Sequence, residues 1–330
     1  MAFKDILGNQ RVKKILKRSL KKQKVPHSLI FSGPPGVGKK EMALILAKAL
    51  NCLKETEDAC EVCPNCGAIN KGHFPDVLEI QPEKEVIKIE QMRMMKEVAH
   101  LKPMGGRKKF FAVNEAEKMS EEASNSLLKI LEEPPSFSHV VLVTSNPYLL
   151  LPTIRSRCQQ LDFSPISPQD IEKILKERGY KEERAKVISL LVQGNMNRAL
   201  SLEWEEIQEK RNQAWNFFLS FVEKKEKITP FIDDFLTSSS NQREELKQFL
   251  EIFASFCRDF LLIKEKGGQD FLINLDYEGK IKDVSESWST EQTVHLLEKI
   301  DSMIYSVERN LNINLLKSSL LSNYMEWKYV

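Results

Sequence analysis

One glycine-rich octapeptide restricts the fold of this chain more than any other feature of its sequence. An apolar segment, 28–31, precedes the octapeptide, and a segment with helical character, 41–50, follows it. A strand, a loop and a helix in this order direct backbone N–H groups and the positive end of the helix dipole at an anion, and the loop lysine adds a charge on the phosphates. The predicted phosphate-binding residues are Gly33, Pro34, Pro35, Gly36, Val37, Gly38, Lys39 and Lys40.

Two positions that support magnesium chemistry in such ATPases carry unsuitable side chains. Position 40 should offer a hydroxyl to Mg²⁺, and it carries Lys40. The strand predicted at 110–113 should be followed by an aspartate; Asn114 stands there, with Glu115 beside it at the position of the base that polarises water. An amide is a weaker ligand than a carboxylate for a hard dication. We therefore expect no ATP hydrolysis by the isolated chain, which leaves Glu115 vestigial. Whether the loop binds ATP or a bare phosphate anion, and whether Mg²⁺ accompanies it, stays open.

The pattern along the chain predicts a mixed first half and a helical second half. Apolar strand candidates at 29–31, 77–80, 110–113 and 140–144 alternate with helical segments, which is typical of an α/β architecture. All but one of the fourteen prolines lie at or before Pro168, and the remainder of the chain is rich in helical patterns. One helix is delimited at both ends, because Ser120 can cap its first turn and Pro134 stops it.

Charge and apolar content restrict the partners and the compartment. A formal net charge of +2 argues against a generally basic nucleic-acid-binding protein, so any nucleic-acid contact should be local. No apolar run approaches the roughly 18 residues of a membrane span, and the first residues lack the apolar core of a signal peptide. We expect a cytoplasmic protein with no membrane partner.

Four cysteines form a cluster with metal-ligand spacing. Cys52, Cys60, Cys63 and Cys66 give two overlapping C-x₂-C pairs and a fourth thiolate nearby, which is typical of a structural zinc site with no open coordination position. His73 replacing one cysteine is an alternative ligand set, and four free thiols are the other alternative.

The strongest local charge lies at 11–24, which carries eight basic residues and no acidic one. The segment also has the apolar stripe of an amphipathic helix, formed by Val12, Ile15, Leu16 and Leu20. Its cations are either a solvated face or a surface toward DNA phosphates or an acidic partner.

Three runs carry a resemblance to a known family: SLLKILEEPP at 126–135, TSNP at 144–147 and LPTIRSRC at 151–158. They resemble the signature runs of bacterial clamp-loader subunits of the AAA+ superfamily, and most closely the delta-prime type of DNA polymerase III. The resemblance is dense over 5–200 and returns at 310–316, which is similar to the family's closing helix.

The resemblance implies a fold, a function and partners. The implied fold is an α/β P-loop AAA+ core at 1–165 with an inserted zinc module at 52–75, a small helical lid at 166–205 and an all-α collar at 206–330. The implied function is to help load the sliding clamp at primer–template DNA. The partners would be the gamma/tau and delta subunits, the sliding clamp and, within the complex, primer–template DNA.

The resemblance also implies roles for single residues. Arg157 would act as an arginine finger, reaching in trans into the ATP site of a neighbouring subunit. Thr144 and Ser145 fall where such ATPases sense the γ-phosphate. Asn197 falls where the ATPase subunits carry a second sensing arginine, and Arg198 lies one residue later, about 100° around a helix.

Two other interpretations use the same residues. An active clamp-loader ATPase of the gamma/tau type that tolerates Lys40 and Asn114 would hydrolyse ATP with Mg²⁺ as an isolated chain. A zinc-ribbon DNA-binding module attached to an inactive P-loop would bind duplex DNA without partners.

Overall fold

The computed structural model describes residues 1–54, 57–222, 242–268, 271–308, 311–312, 315–316 and 318–319. The predicted closing-helix pattern at 310–316 therefore lies partly outside the described residues. The described residues form two compact units. One comprises 1–174 and 193–200, and the other comprises 175–192 and the described residues from 201 onward. The predicted lid, 166–205, is divided between them, and the boundaries at 165 and 205 stay predictions.

The first unit is built on a five-stranded parallel sheet. Its strands are β1 Ser28–Ser32, β2 Val77–Ile80, β3 Lys109–Val113, β4 Ser138–Thr144 and β5 Gln159–Asp162, and their spatial order is β2-β3-β4-β1-β5. The four strands predicted from apolar runs are confirmed. The edge strand β5 was not predicted, because only Leu161 among its four residues is buried and the other three are polar.

Helices cover both faces of this sheet, and the alternation of the strand side chains explains why. Phe31, Phe110 and Val141 face one apolar cluster, and their chain neighbours face another. The first cluster packs against α1 Gln10–Lys21 and α2 Lys39–Asn51. The second packs against α4 Ile89–Ala99 and α5 Glu121–Glu132. The short helices of the first half are α3 Pro64–Asn70 and α6 Pro152–Arg155.

The predicted limits of one helix are confirmed, and a second cap is found. The backbone N–H of Ala123 donates to Ser120 Oγ at 3.1 Å, so Ser120 caps α5, which ends at Glu132, before Pro134. The backbone N–H of Asp170 donates to Ser167 Oγ at 3.1 Å at the start of α7 Pro168–Glu177. The helices that follow are α8 Glu182–Leu191 and α9 Met196–Ser201.

The second unit is helical throughout its described part. Its long helices are α10 Trp204–Val222, α11 Gln242–Lys264 and α13 Thr290–Glu308, and α12 Glu278–Val284 is short. Aromatic side chains of these helices pack together; the rings of Trp215 and Phe256, for example, have centroids 5.6 Å apart. The guanidinium of Arg211 is fully buried among them and paired with Asp276 at 2.5 Å. No described helix is long and apolar enough to cross a membrane.

A buried carboxylate fixes the loop before β3. Asp76 accepts hydrogen bonds from the backbone N–H groups of Met104, Gly105 and Gly106 at 2.7–3.0 Å. Its Oδ1 also lies 3.2 Å from the ammonium of Lys109, and both side chains are almost fully buried. Burial alone would raise the pKa of Asp76, but these donors outweigh it and lower the pKa below its usual range.

We expect Asp76→Asn to destabilise the protein by about 3–5 kcal/mol at neutral pH, because it leaves the Lys109 ammonium buried without a charged partner. A carboxyl whose folded pKa is depressed contributes stability above its unfolded pKa of about 3.9, and that stability is lost as the pH falls through the folded value. Urea unfolding at pH 7 should therefore separate variant and wild type more than unfolding near pH 3. Asp301→Asn, at an exposed position, is the control, and an unchanged midpoint for Asp76→Asn would contradict the account.

Candidate functional sites

The glycine-rich loop connects β1 to α2 through backbone conformations that favour glycine. Gly36 and Gly38 have φ values of +72° and +87°. Gly36 also lies against Asn195, whose Oδ1 would be 1.7 Å from a Cβ added at position 36. The backbone N–H of Met196 donates to the Gly36 carbonyl at 3.1 Å. The start of α9 is therefore packed directly on the loop.

The loop lysine is buried and hydrogen-bonded to the loop itself. Lys39 Nζ donates to the carbonyl oxygens of Gly33 at 2.5 Å and Pro34 at 2.6 Å. Burial lowers the pKa of Lys39 to about 8, although the carboxylates of Glu117 and Glu41 act in the opposite direction. Burial therefore disfavours the protonated form of the lysine predicted to bind phosphate.

A cavity of about 390 Å³ lies in front of this loop. It brings together residues from both predicted sets, the loop and the strand ends. The residues singled out from the sequence that line this cavity are Pro35, Gly36, Gly38, Lys39, Lys40, Asn114, Glu115, Thr144, Ser145 and Asn197. Gly33, Pro34 and Val37 shape the loop without lining the cavity, and Val37 is part of the core.

The two positions that would bind magnesium are joined through a third residue. Lys40 Nζ lies 3.2 Å from Glu79 Oε2, and Asn114 Nδ2 lies 3.4 Å from the same oxygen. Glu79 is on β2 and was not predicted as a site residue. Its only signal in the sequence is that it is an acidic residue inside the apolar segment 77–80.

Two glutamates follow β3, and they have different surroundings. Glu115, the predicted base, has a left-handed backbone with φ +50°, and its carboxylate lies 2.6 Å from Lys118 Nζ. Glu117, which was not predicted, accepts a hydrogen bond from the backbone N–H of Ser145 at 3.0 Å and another from the Ser145 hydroxyl. Burial would raise the pKa of Glu117, but the hydrogen bonds from Ser145 outweigh it and lower the pKa. Of the two carboxylates that raise the pKa of Lys39, Glu117 has the larger effect and Glu41 the smaller.

The cysteine cluster has the geometry that zinc requires. The Sγ atoms of Cys52, Cys60, Cys63 and Cys66 all lie within 4.8 Å of one another. Four thiolates bound to zinc at about 2.3 Å would have sulfur–sulfur distances of about 3.8 Å, and Cys60 Sγ lies 4.0 Å from Cys66 Sγ. Backbone N–H groups of Cys63 and Cys66 point at Cys60 Sγ and Cys63 Sγ, at 3.3 and 3.4 Å. This donor set fits a structural zinc ion, and His73 is not part of the cluster.

Buried polar contacts tie the cysteine cluster to the P-loop helix. Lys48 of α2 is almost fully buried, and its Nζ lies 2.5 Å from Glu61 Oε1 and 2.9 Å from Asn70 Oδ1. Glu61 lies between Cys60 and Cys63 in the chain. Burial would raise its pKa, but hydrogen bonds from Lys48, the chain's amino group and Asn70 lower the pKa to about 2.

The predicted finger residue is partly exposed and contacts its own chain. Arg157 Nη2 lies 2.8 Å from Glu132 Oε1, at the end of α5, and 36% of the Arg157 side chain is exposed. Arg157 Nη1 donates to the carbonyl of Thr153 at 2.9 Å. Its role as an arginine finger stays a prediction, and Glu132 is a partner that sequence reasoning missed.

The basic segment 11–24 forms α1 with the predicted apolar stripe against the core. Lys13 is buried and donates to the carbonyl of Ile6. Lys17 and Lys21 lie 3.6 Å and 3.1 Å from Asp58 and Glu57. Part of the charge of this segment is therefore structural.

Comparison with known proteins identifies the family. The family model described as "DNA polymerase III, delta subunit" matches residues 8–167 of this chain. "DNA polymerase III subunit delta'" of Bacillus subtilis (strain 168) is 33% identical over 285 residues, which cover 86% of this chain and 86% of that protein. The chain belongs to the delta-prime family of DNA polymerase III clamp-loader subunits. The α/β AAA+ core predicted from the sequence is confirmed.

This delta-prime family member is also similar to a tau subunit over part of its length. "DNA polymerase III subunit tau" of Escherichia coli (strain K12) is 34% identical over 207 residues, 61% of this chain but only 32% of that protein. A solved structure of a gamma subunit-related protein from Thermotoga maritima aligns with 96% of this chain and 99% of its own, at 21% identity and a TM-score of 0.47.

Proposed function

We propose that this delta-prime subunit acts in the clamp loader as a non-hydrolysing member that supplies Arg157 to the ATP site of a neighbouring subunit. The observation that carries the proposal is the state of its own magnesium positions. Lys40 and Asn114 both contact Glu79 there, so an ammonium and an amide occupy the place of the metal ligands. A subunit built this way contributes to the complex by binding and by acting in trans.

Arginine suits the trans role for a chemical reason. Its guanidinium is planar, permanently charged and able to donate two parallel hydrogen bonds to a phosphate. Arg157 lies at the surface beside α6, where its exposed fraction leaves it accessible to a second chain. Its pair with Glu132 is a partly exposed ion pair, which is worth little energy and can be exchanged for a phosphate contact.

The remaining roles follow from the family. The gamma/tau and delta subunits, the sliding clamp and primer–template DNA are its partners in the cytoplasm, and the collar, 206–330, joins it to the other subunits. A zinc ion bound by the four cysteines stabilises the module at 52–75. Residues 166–205 form the small helical lid. Thr144, Ser145 and the loop 33–40 bind a nucleotide phosphate without hydrolysing it.

The isolated chain is expected to show no ATP turnover above a buffer control, because Lys40 cannot ligate the catalytic Mg²⁺ and the amide of Asn114 is a weaker ligand than a carboxylate. The measurement is a steady-state phosphate-release assay with ATP and Mg²⁺. The control is the same preparation carrying Lys39→Ala. Robust wild-type turnover that disappears in Lys39→Ala would favour the gamma/tau type of ATPase instead.

A further inference from the structure

Magnesium does not fit the P-loop cavity of this chain. Mg²⁺ requires oxygen ligands in octahedral geometry at about 2.0–2.1 Å. P-loop ATPases supply them from a hydroxyl and an aspartate, together with the phosphates. Here the first position carries an ammonium, and the amide nitrogen of Asn114 is directed at Glu79. The ammonium of Lys40 lies 3.2 Å from the same carboxylate oxygen, so a divalent cation entering this position would have to displace the ammonium or lie against a like charge.

The same contacts give the Lys40 ammonium a defined position. Glu79 extends from β2, whose register with β3 is Ile80 opposite Val113, so that Glu79 and Asn114 lie near the same end of two paired strands. Lys40 is the second residue of α2, directly after the loop lysine. Lys40 and Asn114 both line the cavity with Lys39. A monovalent cation paired with Glu79 therefore lies beside the loop lysine, at the place where a nucleotide normally brings its metal.

A second observation points to a ligand at this cavity. Asn114 is 95% buried, since its relative exposure is 5%, and its Oδ1 has no hydrogen-bond partner among the described residues. A buried amide oxygen without a donor is costly, and water or a ligand in the cavity could supply that donor. The carboxylates that also line the cavity are Glu41, Glu115 and Glu117, of which Glu115 is paired with Lys118. Each of these acids would add to the repulsion of an anion, so the loop N–H groups and the two lysines must outweigh them.

We propose that this cavity binds the phosphate groups of a nucleotide that carries no divalent metal, with the Lys40 ammonium as a built-in cation in place of Mg²⁺. Lys40 is then the residue that determines specificity between the free nucleotide and its magnesium complex. The inference does not rest on the trans role of Arg157. It concerns binding by the isolated chain, so it can fail while the trans role of Arg157 stands. The trans role can likewise fail while this inference stands.

The test is the sign of the magnesium effect on nucleotide affinity. The isolated full chain is titrated with ADP by calorimetry, once in EDTA and once in excess Mg²⁺. We expect binding in EDTA that Mg²⁺ weakens by at least about tenfold, equivalent to about 1.4 kcal/mol, because Mg²⁺ converts free ADP into a complex that the site rejects. Lys39→Ala should abolish the binding in EDTA, which assigns it to this loop.

Variants at the two metal positions should reverse that sign. Lys40→Thr restores a hydroxyl and removes the repulsion, so Mg²⁺ should strengthen its binding of ADP. Asn114→Asp should shift the magnesium effect in the same direction, and it serves as the second variant if Lys40→Thr does not fold. Lys4→Thr, at an exposed position away from the cavity lining, is the matched control and should behave as wild type. Tighter wild-type binding with Mg²⁺, or no ADP binding in either condition, would overturn the proposal.

Discussion

Replacing both Cys60 and Cys63 by serine is expected to release the zinc ion and to unfold the module at 52–75. Apparent binding free energies of structural zinc in small peptides are about 10–16 kcal/mol, and this segment has little other apolar content. Among the described residues of the segment, its apolar cluster consists of Ala59 and the four cysteines. Metal analysis of the purified protein, together with limited proteolysis, measures both effects.

The location of the module allows the effect to be separated from general unfolding. The β-sheet core should keep a cooperative unfolding transition when the metal is lost, but at a lower midpoint, because the buried ammonium of Lys48 then loses its partner Glu61. Cys158→Ser is the matched control, because Cys158 is a half-buried thiol outside the cluster. The zinc assignment fails if wild-type protein contains no zinc, or if the double variant retains it while Cys158→Ser loses it.

Arg157→Ala is expected to abolish ATP turnover at one site of the reconstituted clamp loader while assembly is preserved. Arginine fingers contribute about 10³–10⁵ in rate in other phosphoryl-transfer systems. Deleting a partly exposed arginine, by contrast, costs little stability. The measurements are complex assembly by gel filtration and ATP hydrolysis stimulated by primer–template DNA and the sliding clamp. Arg157→Lys should rescue poorly, because an ammonium cannot donate in the bidentate geometry.

Glu132→Gln separates the trans role from an internal one. It breaks the same ion pair as Arg157→Ala, but it leaves the guanidinium available to a neighbouring chain. If Arg157 serves only its own fold, the two variants should have the same effect on turnover. We expect Glu132→Gln to retain turnover and Arg157→Ala to lose it.

The sequence predicted the parts of the structure that depend on short-range chemistry. The buried strands β3 and β4 each contain a run of four consecutive apolar residues, so their positions could be predicted from the local sequence alone. Ser120 caps α5 because its hydroxyl needs only an N–H three residues later. The four cysteines were predictable as one cluster because their spacing already satisfies a tetrahedral site.

The missed site residues depend on strand order, which local sequence does not contain. Glu79 and Asn114 are 35 residues apart in the chain and meet only because β2 pairs with β3. From the sequence, Glu115 was predicted as the base, and not Glu117, because Glu115 stands at the position where such ATPases carry the base. The structure instead gives Glu115 a left-handed backbone and a surface partner, Lys118. Asn195 contacts Gly36 across more than 150 residues of chain.

The central claim is that this subunit contributes its catalytic group to another subunit's ATP and hydrolyses none of its own. The most direct measurement is a rapid-quench count of the ATP hydrolysed per complex in the first turnover, after primer–template DNA and clamp are added. Complexes assembled with Arg157→Ala should hydrolyse one ATP fewer per complex than wild type, and complexes carrying Lys39→Ala in this subunit should hydrolyse the same number as wild type. An unchanged count for Arg157→Ala, or a lower count for Lys39→Ala, would contradict the account.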